Sequence, residues 1–259
     1  MIPAETHLQI GSLLFEGLDQ IDLTGPFEVL SRIPNSTYRI YGPTAEPVRD
    51  LRGLRITPDA TLAEAPRLDV LHIPGGQGQE ALMRDAAVLG WIRQQAAGAS
   101  HVFSVCTGAL LLGAAGLLVG RRATTYWNAV HLLPWFGAEA VDARVVIDPD
   151  ADGRIWLFAA GVTAGIDGAL RLAAELRGDE AARLIQLGMQ YAPEPPFDSG
   201  TPQSAPPAIV AQARAAAAGI TARREATARA IAAELGIPAP EARDLPNRTS
   251  EAGTSPPAR

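Results

Sequence analysis

The sequence predicts an α/β fold, a flavodoxin-like or Rossmann-like sandwich in which a mostly parallel sheet is covered by helices on both faces. Short apolar runs alternate along the chain with helical segments, as in parallel strands joined by crossover helices. The 259 residues suffice for one large domain of this class, and a hydrophobic fraction of 47% can fill its core. The clearest buried strand, LDVLHI, ends at the turn Pro74–Gly76.

The first elements follow from periodicity and from turn residues. Alternating apolar residues predict a strand over His7–Phe15, and a helix is expected to begin near Thr24–Pro26, because proline suits a first helical turn. A short strand at Tyr38–Tyr41 is followed by a polar hairpin or extended excursion over 47–60. Leu68–Ile73 is the buried strand.

Later segments repeat this alternation, with the turn sequence DADG separating two strands as a hairpin would. The remaining predicted strands are at 101–105, 144–148 and 154–159, and the remaining predicted helices are at 79–98 in two pieces, 107–115, 127–135, 164–177, 179–191 and 207–235.

Composition changes divide the chain into three parts. Residues 1–200 are predicted to form the α/β domain, and the proline-rich stretch YAPEPPFDSGTPQSAPP closes it. Residues 201–236 form a helical extension expected to pack on the domain or across a dimer. Residues 237–259, rich in proline and poor in large apolar groups, are predicted to be disordered.

The charge balance excludes several function classes. The net charge is −6, whereas nucleic acids are bound through clustered positive charge, so no nucleic-acid partner is expected. All 22 basic residues are arginine, which excludes a Schiff-base lysine and a Walker phosphate loop. No apolar run has transmembrane length and no secretory signal is visible, so no membrane partner is expected. One cysteine in the whole chain fits a reducing cytoplasm.

That single cysteine, Cys106, lies where a predicted strand turns into a predicted helix. The small residues Ser104 and Gly108 flank it, as in elbows that expose a nucleophile above a sheet edge. A thiol at a helix N-terminus is expected to have a lowered pKa, and the free amides there can form an oxyanion hole. The alternative is a small buried hydrophobic residue.

A thiol nucleophile usually needs an acid or base, and the histidines are poorly placed for that role. Two lie at strand beginnings, one lies inside a strand, and one is packed among leucines. No pair has metal-ligand spacing, so no metal is expected. The four are His7, His101, His72 and His131.

Asp22 is the better candidate, because the loop after the first strand opens on the same sheet edge as Cys106. If the two strands are neighbours, its carboxyl group could reach the sulfur. The flanking Ile21 and Leu23 would raise its pKa and keep it able to donate a proton. The alternative is an ordinary helix cap, a role that Thr24 could equally take.

The loop after the buried strand is rich in glycine. Gly76-x-Gly78-x-x-Ala81 formally fits a dinucleotide fingerprint, but it does not follow the first strand and no acidic residue ends the next one. The better interpretation is a tight turn in which the amides of Gly75 and Gly76 face the sulfur and complete an anion hole.

Five stretches together resemble the ThiJ/PfpI superfamily of class I glutamine amidotransferase-like folds, and within it the isonitrile hydratases. They are DLTGPFEVL, LDVLHIPGG, SVCTGALLLGAAGLLVGRRATTYW, GVTAGIDGALRLAAEL and QYAPEPPFDSGTP. The resemblance covers roughly residues 7–232. It implies a homodimer without metal or organic cofactor.

By position, the resemblance implies that Cys106 is the nucleophile and Asp22 its acidic partner. Thr107 resembles the residue that helps to bind the reacting group. Gly75, Gly76 and Gly108 belong to the implied oxyanion and substrate site, where Gly76 contributes a backbone amide.

One position departs from the superfamily pattern. Many members carry a histidine about 20 residues after the nucleophile, where this chain has Tyr126, a candidate substrate-binding residue. A phenol with a pKa near 10 is a poor base at pH 7, which argues against a peptidase or glutaminase.

The expected function is therefore hydration of a small-molecule isonitrile to an N-substituted formamide through a covalent cysteine thioimidate. Three alternatives stay open. One is a redox-responsive or damage-response protein whose cysteine is oxidised, and another is a hydrolase or amidase of the same superfamily. The third, a transcription regulator with a C-terminal DNA-binding unit, has little room in the roughly 50 residues after the proline-rich stretch.

Overall fold

The computed structural model describes residues 2–241, and these form a central seven-stranded sheet with helices on both faces. The strand order is β10-β11-β7-β6-β1-β2-β5, and all neighbours are parallel except the edge hairpin β10–β11. The strands of this sheet are β1 Leu8–Leu13, β2 Ser36–Gly42, β5 Ala60–Thr61, β6 Val70–Ile73, β7 His101–Val105, β10 Val145–Pro149 and β11 Ile155–Ala159.

Seven α-helices accompany the sheet in the described part of the chain. They are α1 Gln20–Leu30, α2 Gln79–Leu82, α3 Ala86–Gly98, α4 Gly108–Ala114, α5 Ala164–Arg177, α6 Asp179–Gly188 and α7 Pro207–Glu234. Helix α5 contacts α1 and α6, while α4 contacts α2 and α3, and α7 contacts α2.

The sheet separates two hydrophobic clusters, as expected when both faces are covered. Alternate residues of one strand enter different clusters, since side chains alternate across a sheet: Leu71 packs into one cluster and Val70 into the other. The predicted α/β class with a mostly parallel sheet is confirmed.

Two predicted helices differ from the structure. The first begins at Gln20, not near Thr24, because Asp19 caps it by accepting from the Ile21 amide, and Pro26 therefore lies inside it. The segment predicted as a helix over 127–135 is a 3₁₀ helix at Val130–Phe136.

Small elements account for the other differences. The excursion over 47–60 does contain a hairpin, with β3 Val48–Arg49 antiparallel to β4 Arg55–Ile56. The pair β8 Arg122–Ala123 and β9 Glu139–Ala140 was not predicted. Most of the segment 237–259 lies outside the described residues. Among the helices that the structure describes, none combines the length and the apolar character needed to cross a bilayer.

Candidate active site

Three loops at the carboxyl edge of the sheet form the candidate site. Asp22 follows β1, Gly75 and Gly76 follow β6, and Cys106 follows β7. The sequence predicts a contact between Asp22 and Cys106 only if β1 and β7 are neighbours, and they are not, because β6 lies between them. Glycine residues after β6 leave room above the loop that follows this strand. Groups that follow β1 and β7 can therefore meet across it.

Backbone hydrogen bonds join the first two loops. The Asp19 amide donates to the Gly75 carbonyl at 2.9 Å, and the Gly78 amide donates to the Gly17 carbonyl at 3.0 Å. A β-carbon on Gly75 would lie 2.5 Å from the Thr107 amide nitrogen and 3.0 Å from Asp22 Oδ2. Only glycine fits a contact this close, so residue 75 fixes the spacing of the acid and the nucleophile loop.

Cys106 lies on the sharp strand-to-helix turn that the sequence predicts. Its φ angle of 55° is in the left-handed region, which non-glycine residues seldom adopt. The Cys106 amide donates to the Ala159 carbonyl at 2.9 Å, and the Thr125 hydroxyl donates to the Cys106 carbonyl at 2.6 Å. These two bonds hold the strained residue from both sides, and its side chain is 6% exposed.

Asp22 lies in the first turn of α1 with its side chain fully buried. The carboxyl group interacts with the Cys106 thiol and the Gly75 amide, yet among the described residues neither carboxyl oxygen has a hydrogen bond of ordinary geometry. Burial, and secondarily the charge of Asp19, raises the pKa of Asp22 to about 8. Asp22 is therefore protonated at neutral pH and is not the helix cap, since Asp19 fills that position.

The expectation of a lowered thiol pKa is wrong. Burial raises the pKa of Cys106 well above its ordinary value, and the adjacent Asp22 carboxyl raises it further. The Thr107 amide and the Arg224 guanidinium act in the opposite direction. Desolvation outweighs the helix N-terminus because the sulfur is almost fully removed from water.

Thr107 and the glycine loop bond to each other. The Gly76 amide donates to Thr107 Oγ1 at 3.1 Å, and this hydroxyl lies 3.2 Å from the Gly76 carbonyl, to which it donates. The Thr107 amide faces the sulfur. A β-carbon on Gly108 would lie 2.1 Å from the Ile73 carbonyl oxygen, so this glycine permits close contact between the two loops.

Tyr126 lies beside a cavity of about 520 Å³ that adjoins the cysteine loop. The ring is half-buried and stands 5.6 Å from the Trp127 ring, centroid to centroid. Burial raises the pKa of Tyr126 above its ordinary value, so the phenolate that could act as a base is even less populated at neutral pH than the sequence indicated. The cavity is lined by Thr124, Thr125, Tyr126, Trp127, Val130, Asp142, Ala143, Arg144, Ala160, Gly161, Val162, Thr163, Gly200, Thr201, Pro202 and Gln203.

Sequence reasoning missed Arg224, which α7 brings to the site. Its side chain is 6% exposed and bonds to the Gly76 carbonyl at 2.8 Å. The buried positions of α7 are Arg224, Ala228, Ile231 and Ala232, spaced as one helical face. An arginine within that otherwise apolar periodicity is the signal that could have identified it.

Two histidines lie in the strands where the sequence placed them. His72 is buried within β6, and burial lowers its pKa to about 3. His101 begins β7, and burial lowers its pKa to about 4. Within residues 2–241, no three histidine, cysteine or acidic side chains are grouped to hold a metal ion.

In this arrangement, a cysteine on a strained elbow faces an acid from the first turn of α1. Residues 9–174 match the DJ-1/PfpI family. The chain belongs to this family. A curated relative, isonitrile hydratase of Pseudomonas putida, is 50% identical over 226 residues, which are 87% of this chain and 97% of the relative.

Solved structures agree with this family assignment. A ThiJ/PfpI family protein from Pseudomonas syringae superposes with a TM-score of 0.82 at 38% identity, over 88% of this chain and 93% of the other. DJ-1beta of Drosophila melanogaster gives a TM-score of 0.63 at 24% identity, over 73% of this chain and all of the other, and supports the fold alone.

Proposed function

We propose that this protein is an isonitrile hydratase, an enzyme that adds water to an isonitrile and releases an N-substituted formamide. The observation that carries the proposal is that Asp22 and Cys106 are buried side by side. The carboxyl oxygens of Asp22 have no ordinary hydrogen bond within the described residues. The 50% identity to a protein named isonitrile hydratase supports the same reaction.

In the first step, Asp22 acts as the acid and Cys106 as the nucleophile. The pair first loses one proton to water, and in the reactive form the remaining proton is on Asp22, so a thiolate lies beside a protonated carboxyl group. The sulfur bonds to the terminal carbon of R–N≡C while Asp22 gives its proton to that carbon. The product is a thioimidate, R–N=CH–S–Cys106, beside an Asp22 carboxylate. One carboxyl group with a raised pKa suffices, so no histidine is needed.

In the second step, the Asp22 carboxylate activates a water molecule. The water oxygen adds to the same carbon, one of its protons reaches the nitrogen, and the other returns to Asp22. Collapse expels the thiolate and releases R–NH–CHO. The Thr107 amide, which faces the sulfur, would stabilise the charge that develops there.

The cavity beside Tyr126 suits the R group of the substrate. It adjoins the cysteine loop through Thr125, and Trp127, Val130 and Val162 give it apolar walls. A hydrophobic R group would lose contact with water there, while the isonitrile carbon points toward the sulfur. We assign this role to the cavity, with Tyr126 as a substrate-contacting residue.

Steady-state turnover of cyclohexyl isocyanide, followed by formamide formation, tests the proposal. Cys106→Ala and Cys106→Ser should abolish turnover while the protein stays folded. Mass spectrometry should detect a thioimidate adduct on the wild type only. A folded, reduced wild type without turnover would refute the hydratase function.

The same assay separates the alternatives. A redox-responsive protein would not turn over the isonitrile, and its cysteine would be oxidised instead. A hydrolase or amidase would lack a base at Tyr126, whose pKa is also raised. Turnover of amide or ester substrates without isonitrile turnover would favour that class.

Two further parts of the proposal concern the state of the protein. We infer a homodimer, as the family resemblance implies, and light scattering at about micromolar concentration tests it.

We also infer a cytoplasmic location, because the single cysteine fits a reducing compartment. Fractionation of cells that express the protein from its own gene tests the location.

A further inference from the structure

The guanidinium of Arg224 contacts three elements of the site from the C-terminal helix. Nε donates to Gln79 Oε1 at 3.0 Å, and Nη2 donates to the Gly76 carbonyl at 2.8 Å. Nη2 also lies 3.4 Å from Thr107 Oγ1. The planar group therefore holds the glycine loop and the residue after the nucleophile together.

A buried cation of this kind is costly unless an anion balances it. Within the described residues, no carboxylate lies within 4 Å of Arg224, and its three hydrogen-bond acceptors are neutral. Glu80, on the neighbouring helix, instead accepts from the Thr227 hydroxyl at 2.7 Å. If Arg224 served only to attach α7, an uncharged side chain with similar hydrogen bonds would do so with a smaller desolvation penalty.

The charges that face Arg224 identify what it balances. The charged form of Arg224 is favoured by Cys106, Glu80 and Tyr126, in that order, whereas the charge of Arg223 disfavours it. Cys106 in turn faces Asp22 and Arg224, with the Tyr126 ring nearby. In the reactive form, the Asp22–Cys106 pair carries one negative charge. Arg224 is a buried cation that bonds to the residue next to Cys106 and to the glycine loop, and its charge favours the thiolate.

We propose that Arg224 is a positioning residue of the active site, which orients Thr107 and the Gly76 carbonyl and stabilises the negative charge of the Asp22–Cys106 pair. The inference deepens the proposed hydratase function and rests on it for turnover, but its effect on thiol reactivity can be measured without any isonitrile. It makes the C-terminal extension a structural part of the site.

The experiment measures alkylation of Cys106 by iodoacetamide between about pH 6 and pH 10, because only the thiolate reacts. Arg224→Gln keeps polar contacts but removes the charge. We expect its pH–rate curve to move to higher pH by about one unit, which makes alkylation roughly tenfold slower at pH 8. The matched control is Arg223→Gln, which removes an exposed charge one residue away and should leave the curve unchanged.

Arg224→Lys separates charge from geometry. It retains a cation but not the planar fork, so the curve should stay near that of the wild type while kcat for the isonitrile falls several-fold with little change in KM. If Arg224→Gln does not fold, the kcat of Arg224→Lys still tests the inference.

Two results would overturn the inference. One is a folded Arg224→Gln protein whose alkylation curve matches that of the wild type, and the other is an Arg224→Lys protein with wild-type kcat. If the wild type does not turn over isonitriles, the proposed function fails, whereas the alkylation curves still decide the role of Arg224.

Discussion

Two sets of buried polar side chains, one within the sheet and the other at its carboxyl edge, differ in the hydrogen bonds that they make. Ser12 Oγ bonds to His72 Nδ1 at 2.6 Å and to the Tyr38 hydroxyl, and the His72 ring stacks on Phe103 at 5.0 Å. We call these three residues, Ser12, Tyr38 and His72, the internal cluster. Asp22 is equally buried, but its carboxyl oxygens have no ordinary hydrogen bond in the described chain.

This difference distinguishes buried polar groups that stabilise the fold from a group that is available for the reaction. Each residue of the internal cluster makes at least one side-chain hydrogen bond, although His72 Nε2 has no partner in the described chain. A buried polar group that is hydrogen-bonded in this way stabilises one arrangement of the fold. A buried carboxyl group left without strong partners destabilises the fold and remains available to a substrate or a water molecule. The internal cluster lies directly behind the site, since His72 faces the backbone of Asp22.

Removing the acid should have the largest effect. Asp22→Asn keeps the shape of the side chain but cannot give or accept a proton in the reaction. We expect kcat/KM for cyclohexyl isocyanide to fall by about 10²–10⁴-fold. Near-normal turnover by Asp22→Asn would contradict the proton role and weaken the contrast between the two groups.

The same substitution should stabilise the fold, and the gain should depend on pH. The pKa of Asp22 is about 8 in the folded chain and near 4 when unfolded. Between these values the folded chain holds the extra proton, so the wild type loses stability as pH rises toward 8. The gain from Asp22→Asn should therefore be small at pH 4 and grow to at most about 5 kcal/mol near pH 8.

Chemical denaturation of the wild type and Asp22→Asn at both pH values measures this gain. Asp85→Asn is a matched control, because Asp85 is a half-buried helix cap. A stability difference between wild type and Asp22→Asn that stays constant from pH 4 to pH 8 would show that the Asp22 pKa is not raised by folding.

The glycine between the acid and the nucleophile loop should be next in effect. In Gly75→Ala the new methyl group would lie 2.5 Å from the Thr107 amide nitrogen, so the two loops must separate. We expect kcat to fall by about 10–100-fold, because catalytic geometry tolerates little displacement. Gly90→Ala is the control: a β-carbon there meets nothing within 4 Å, and activity should be unchanged.

Local sequence patterns were sufficient for most of the fold and for the two central site residues. The run HVFSVCTG identified the elbow, because strand, turn and helix signals are all local, and the apolar neighbours of Asp22 indicated its raised pKa. The start of α1 was misplaced because Pro26, a strong signal for a first turn, is tolerated inside this helix.

What the sequence did not reveal depends on tertiary contacts. The thiol pKa was predicted in the wrong direction, because the burial of Cys106 comes from several elements that pack together. Arg224 was missed because 118 residues separate it from the cysteine, and only the packing of α7 brings it near. The internal cluster likewise joins residues from β1, β2 and β6.

Breaking the internal cluster should affect stability much more than activity. Ser12→Ala leaves His72 Nδ1 and the Tyr38 hydroxyl without their shared partner, which should lower the free energy of unfolding by about 1–3 kcal/mol. Because His72 is neutral above about pH 3, no charge near Asp22 changes, and kcat should stay within about threefold of the wild type. Denaturation and steady-state turnover measured on the same sample test both parts. A large loss of kcat with unchanged stability would place the internal cluster in the catalytic machinery, and the contrast between hydrogen-bonded side chains and an unpartnered carboxyl group would not hold.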